Sequence, residues 1–205
     1  MLVSDLAPGA QKALGAYLDG VWPTLEEIGL APGAFKGNYE FVGATLDGRY
    51  DAVDYIQENA PERPDMKIKI IGGLDANVRP EVIIASSSSG MPSSQFIGEC
   101  KKRPERVLIG HPFNPPHLMP LVEVVPHPGN SENVLKQTLA FYSSVGKRPV
   151  LVKKEAPGFA ANRLQAALCN EAYSLVAHDI LSAPDLGQSP FPPQMLLGLL
   201  REKRG

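Results

Sequence analysis

Residues 109–125 read IGHPFNPPHLMPLVEVV, and the way this stretch folds back decides how the rest of the chain is read. The apolar run VLIG delivers a histidine, four prolines follow, and a second apolar run, LVEVV, carries one carboxylate, Glu123. An ionised carboxylate among apolar neighbours is costly unless something pairs with it. If the proline-rich turn brings the second run back beside the first, Glu123 accepts a hydrogen bond from one ring nitrogen of His111. That bond fixes the tautomer and makes the other nitrogen more basic, as a general base facing substrate requires.

Working outward, short β-branched runs alternate with helical patterns, the mark of a parallel sheet with crossover helices. The expected fold class is α/β, a doubly wound, mostly parallel sheet. MLVSDL reads as a strand ending at Asp5. Pro8 opens an amphipathic helix with Leu14, Leu18, Val21, Trp22 and Leu25 at helical spacing. YEFVGA (39–44) and DYIQENA (54–60) read as strands, the segment after Pro64 as a helix weakened by Gly72 and Gly73, and PEVIIASSSSG as a buried strand entering a serine-rich loop. SSQFIGEC reads as a short helix, SENVLKQTLAFYSSVG as a helix capped by Ser131, and RPVLVKK as the last strand. A long helix follows the Pro157-Gly158 turn, with Leu164, Leu168, Leu175 and Val176 spaced to bury one face.

The chain has 205 residues, 43% of them hydrophobic, which suffices for one full core and part of a second. A net charge of -2, without a basic stripe, argues against nucleic acid and for a small-molecule substrate. Cys100 and Cys169 lack metal-ligand spacing and read as reduced thiols. No secretory leader and no apolar run near the roughly 20 residues of a membrane span is present, so the expectation is a cytoplasmic protein with no membrane partner.

Ligands of open α/β sheets bind at the carboxyl ends of the strands, where Asp5, Glu62, serines 86–89 and His111 fall. Each has a plainer reading: His111 as a core histidine, Glu123 as a salt-bridge partner of Arg163, the serines as a solvated turn. A metal site from His111, His117, Glu123 and His127 is a further competitor, but the spacings fit no helical pair and prolines intervene, so no metal is expected.

Three stretches in order, ASSSSG (85–90), GHPFNPPHLMPLVEVV (110–125) and EAPGFAANRLQ (155–165), resemble the 3-hydroxyacyl-CoA dehydrogenase family. Its lambda-crystallin and L-gulonate 3-dehydrogenase branch is the most similar, and the resemblance spans residues 2–186. It implies that His111 takes the proton of a substrate hydroxyl while hydride passes to NAD, that Glu123 orients His111, and that Ser89 and Asn162 hold the substrate oxygen. On the cofactor side it implies that Asp5 binds the adenosine ribose of NAD and that Glu62, Lys67, Ser89 and Asn114 line the nicotinamide half. The implied substrate is a 3-hydroxy acid, with a sugar acid such as L-gulonate preferred, or a 3-hydroxyacyl-CoA. The family also suggests a homodimer.

The same resemblance implies a domain division. Residues 1–156 form a Rossmann-like NAD-binding domain, 157–186 open a helical substrate and dimerisation domain, and 187–205 are an off-pattern tail. The chain starts at what should be the second Rossmann strand, before which a strand, a glycine-rich turn and a helix are expected. On that reading the absent strand is central, so MLVSDL either pairs with DYIQENA or leaves a gap, and the chain alone should bind NAD weakly and be inactive. A non-catalytic remnant or crystallin-like structural protein of the same family is the alternative.

Overall fold

The computed structural model describes residues 1–187. Two short parallel strands, β1 (Leu2–Val3) and β2 (Glu40–Phe41), are joined by helix α1 (Ala10–Ile28) and form a sheet of their own. A second sheet holds five strands in chain order: β3 (Tyr55–Glu58), β4 (Ile83–Ser86), β5 (Val107–Pro112), β6 (Leu121–Val125) and β7 (Arg148–Leu151). All neighbours in it are parallel except β5 and β6, which run antiparallel. Helices α2 (Pro64–Asn77) and α3 (Glu132–Ser144) link strands, and α4 (Ala161–Ala177) and α5 (Ala183–Leu186) follow the last one.

Alternation along each strand sorts the side chains onto two faces. Ile56, Ile84, Val107, Ile109 and Val125 pack with Ile71 of α2, Phe96 and Phe159 on one face. Ile83, Ala85, Leu108, Val122 and Val124 pack with Tyr142 of α3 on the other. Each fully enclosed Val, Ile or Leu contributes about 1.5–3 kcal/mol through removal from water. On the α3 face, the Tyr142 hydroxyl donates to Gln57 Oε1 (2.6 Å), and Gln57 Nε2 donates to the Gly110 carbonyl (3.0 Å). A Cβ on Gly110 would sit 1.8 Å from Tyr142 Oη, so no other residue fits there unless the Tyr142 side chain moves.

Several elements differ from the sequence expectations. The first strand ends at Val3 rather than Asp5, and YEFVGA contributes only Glu40–Phe41, because Gly43 turns to φ 89 and breaks the extended run. MLVSDL pairs with β2 and not with β3, which is the gapped arrangement of the two considered. Helix α1 begins at Ala10, after Gly9 at φ 78, rather than at Pro8, and its apolar stripe is only half-buried. SSQFIGEC forms one tight turn, Ser93–Gln95, since Phe96 leaves the helical path to enter the core. In α4 the buried residues are Cys169 and Ala172, while Leu164 is 72% exposed.

Ser131 does cap α3, accepting from the Val134 amide (3.3 Å). Cys100 and Cys169 are buried free thiols. Among the described residues no helix is long and apolar enough to cross a membrane. The tail expected over 187–205 lies, beyond Gly187, outside the described residues.

Candidate active site

The antiparallel turn between β5 and β6 sets His111 directly opposite Glu123 in the ladder, so both side chains leave the same face. His111 Nδ1 lies 2.9 Å from Glu123 Oε2, and Glu123 is 2% exposed. An ionised carboxylate can only accept, so Nδ1 carries the proton of this bond. Phe113 and Phe159 flank the imidazole at ring-centre distances of 4.5 and 5.8 Å. Phe159 is held at φ 49, a conformation a bulky residue adopts rarely, and this strained turn places its ring beside His111.

The other oxygen of Glu123 accepts from the amides of Ala160 (3.0 Å) and Ala161 (2.9 Å), the start of α4. One carboxylate thereby satisfies two of the orphan amides of a helix terminus and the imidazole at once. Burial by itself would raise its pKa. The His111 hydrogen bond and the amides of Ala161 and Ala160 outweigh burial and hold it below the ordinary glutamate value. Arg163, considered from sequence as the partner of Glu123, is not that partner: it is exposed, and both carboxylate oxygens are occupied by the groups just named.

Asn162, second residue of α4, donates its amide to the Ser89 carbonyl (2.6 Å) rather than to His111. These first-turn bonds fix the rotation of α4 about its axis, which leaves Leu164 exposed while Leu168, Leu175 and Val176 are half-buried beside Cys169 and Ala172. Ser89 itself is exposed at the end of β4, in a loop whose amides converge on Glu62. Glu62 Oε1 accepts from the Ser88 hydroxyl (2.5 Å) and from the amides of Ser89 (3.1 Å), Gly90 (3.2 Å) and Met91 (3.4 Å). Burial pushes the Glu62 pKa up, but the Ser88 hydroxyl, the loop amides and the nearby Lys67 charge bring it below the ordinary value.

Lys67 is turned inward, its ammonium bound to Glu58 at 3.0 and 3.1 Å on β3. Glu58, ladder partner of Ser86, carries polar chemistry that the sequence reading missed, because its strand Tyr55–Glu58 is half polar and a carboxylate there does not stand out as Glu123 does. Asp5 is exposed just past β1, with Oδ1 accepting from the Ala7 amide (2.7 Å), and beside it an open groove is lined by Ala7, Gly9, Lys12, Tyr39 and Phe41. Asn114 is exposed on the loop after β5. Of the other histidines, His127 takes the Gly129 amide (3.0 Å) and meets the Pro104 carbonyl (3.1 Å) away from His111's partners, and His117 contacts the Tyr17 hydroxyl (3.2 Å). No cluster of three potential metal ligands occurs among the described residues.

The model of the 3-hydroxyacyl-CoA dehydrogenase NAD-binding domain matches residues 42–156, more than half of the chain. The chain belongs to this family. The family's match encloses Glu62, Lys67, Ser89, His111, Asn114 and Glu123, while Asp5 and Asn162 lie on either side of it.

A 3-hydroxyacyl-CoA dehydrogenase of Gibberella moniliformis is 54% identical over 186 residues, which are 91% of this chain and 57% of that protein. An L-carnitine dehydrogenase of Pseudomonas aeruginosa is 44% identical over 182 residues, 89% of this chain and 56% of that protein. The chain thus spans just over half the length of these curated family members. Among solved structures, a 5-formyl-3-hydroxy-2-methylpyridine 4-carboxylic acid 5-dehydrogenase described as an NAD-dependent dismutase superposes with a TM-score of 0.83 at 30% identity, covering 91% of this chain and 60% of that one. The family is an NAD-binding one, and of the residues expected to line that cofactor Asp5, Glu62, Ser89 and Asn114 are accessible at the carboxyl ends of strands or just beyond, whereas Lys67 has no face toward solvent.

Proposed function

We propose that the protein oxidises the hydroxyl at carbon 3 of a hydroxy acid or of its CoA thioester, with His111 as general base and Glu123 as the group that orients it. The observation that carries this reading is the buried 2.9 Å contact between His111 Nδ1 and Glu123 Oε2. With Nδ1–H committed to the carboxylate, Nε2 is the acceptor for the hydroxyl proton. Glu123, whose lowered pKa keeps it ionised at neutral pH, offsets the positive charge that then appears on the ring. Ser89 and Asn162 are assigned to the substrate oxygen.

When bound, NAD supplies the acceptor for the two electrons and hydrogen leaving carbon 3, so that a ketone remains as the oxygen's proton goes to His111. Asp5 is assigned to its adenosine ribose, and Glu62, Ser89 and Asn114 to its nicotinamide half. Lys67 contributes to that half indirectly, since its ammonium is enclosed. Residues 1–156 form the cofactor-binding unit in this reading, and 157–186 open a unit that completes the substrate cleft.

For the substrate, the names of the relatives favour 3-hydroxyacyl-CoA and L-carnitine, both of which carry a hydroxyl at carbon 3. A sugar acid such as L-gulonate is the third candidate. The test is NADH formation by the full-length protein with L-carnitine, a short 3-hydroxyacyl-CoA and L-gulonate, alongside calorimetric titration with NAD. With whichever substrate is turned over, His111→Ala should lower kcat by about a hundredfold or more. Near-normal turnover in that variant would rule out the base role.

A further inference from the structure

Lys67 is 1% exposed. Its ammonium sits 3.1 and 3.0 Å from the two oxygens of Glu58, 3.1 Å from the Ala60 carbonyl and 3.4 Å from Ser86 Oγ. An ammonium has three protons, and the Glu58 carboxylate and the Ala60 carbonyl use them, which leaves none for a ligand in the cleft. Glu58 is enclosed as well. It accepts further hydrogen bonds from the Ser86 hydroxyl (2.5 Å) and the Ala60 amide, so it is held on three sides by β3, β4 and α2.

A second carboxylate reaches the same cation, with Glu62 Oε2 3.7 Å from Lys67 Nζ and its side chain 42% exposed. Its opposite oxygen is the one that gathers the Ser88 hydroxyl and the amides of Ser89, Gly90 and Met91. The loop continues the connection, since the Ser89 carbonyl receives the Asn162 amide. Hydrogen bonds at Glu58 and Glu62, the Lys67–Glu62 ion pair between them and the neutral Asn162–Ser89 bond thus link a buried carboxylate on β3 to the two residues assigned to the substrate oxygen.

We propose that Glu58 is a positioning residue: by fixing the Lys67 ammonium it holds Glu62 against the serine loop, and so sets where Ser89 and Asn162 stand relative to His111. Glu58 touches neither substrate nor cofactor in this scheme. The proposal rests on the dehydrogenase reading for its kinetic consequence, whereas its effect on the loop is independent of it.

Three variants of the full-length protein test this. Glu58→Gln removes the charge and keeps the shape, and Glu58→Asp is the conservative comparison. Glu58→Gln combined with Lys67→Met removes both charges, which keeps the test open if a lone buried ammonium prevents folding. Amide hydrogen exchange at residues 89–91 is measured against α3 in the same molecule, together with kcat and KM. Exchange at 89–91 should rise about tenfold while α3 stays protected. KM for the hydroxy acid should rise about tenfold with the pH midpoint of kcat/KM unmoved, and Glu58→Asp should recover part of the loss. Unchanged exchange and unchanged KM in a folded double variant overturn the proposal. A parent protein that oxidises no hydroxy acid overturns the dehydrogenase reading instead, and the exchange rates alone then decide whether Glu58 sets the loop.

Discussion

The two ends of β5 meet buried carboxylates in nearly the same geometry and to different effect. Just before the strand, Arg106 Nη2 lies 2.9 Å from Asp75 Oδ1, and near its far end His111 Nδ1 lies 2.9 Å from Glu123 Oε2. Asp75 also takes the amides of Lys102 (2.8 Å) and Arg103 (3.1 Å), much as Glu123 takes those of Ala160 and Ala161. The partners differ. A guanidinium keeps its charge at every accessible pH, and Arg106 spends its other Nη donors on the carbonyls of Asp75, Arg79 and Val82, while its buried Nε meets no acceptor. An imidazole exchanges a proton near neutrality and has a second nitrogen to do it with. On the proposed reading, the carboxylate at one end clamps a fixed charge and the one at the other orients a group that takes up a proton.

The largest effect expected from this contrast is on stability at the arginine end. Asp75→Ala should cost about 3–5 kcal/mol, because it leaves Arg106 charged, enclosed and without its carboxylate. The shift of the denaturant midpoint measures it, and kcat per folded molecule should not change. At the histidine end Glu123→Gln should act on chemistry, lowering kcat by roughly tenfold to a hundredfold, since an amide cannot stabilise the imidazolium. If kcat per folded molecule survives that change, the two ends of β5 are alike and the distinction fails.

The smallest effect is on the pH dependence of stability, and there both ends should agree. Asp75 and Glu123 are each held below their ordinary values of 3.8 and 4.5, despite burial, by the hydrogen bonds described above. In acid the unfolded chain binds more protons than the folded one. The stabilisation is complete above the ordinary carboxylate values and is lost as pH falls through the lowered folded ones. Denaturation midpoints followed from about pH 6 down to about pH 3 should show this acid limb, and either Asp75→Asn or Glu123→Gln should make it shallower.

Strand positions and the His111–Glu123 pairing were legible in the sequence because they follow from local signals: apolar alternation, a proline-rich return, and one carboxylate that burial would penalise. Glu58 gave no such signal, since its strand Tyr55–Glu58 is half polar and Lys67 lies nine residues away on a helix whose facing could not be told from spacing alone. The inward turn of Lys67 and the outward turn of Leu164 share a cause. Helix rotation is set by tertiary bonds, here those of Glu58 to Lys67 and of Glu123 and Ser89 to the first turn of α4, and these connect residues far apart in the chain. Strand lengths at β1 and β2 were overestimated because Gly43 ends the run by its conformation while the residues around it look extended.

The hydroxyl of Tyr142 lying against Gly110 has a consequence for how this chain can vary. The position next to His111 is closed to every side chain for as long as α3 presents a full-length tyrosine beneath it. Shortening residue 142 would open that space but also withdraw the hydroxyl from Gln57, whose amide holds the Gly110 carbonyl. A larger residue at 110 therefore requires a change at 142 with it, and a library that randomises position 110 alone should return glycine.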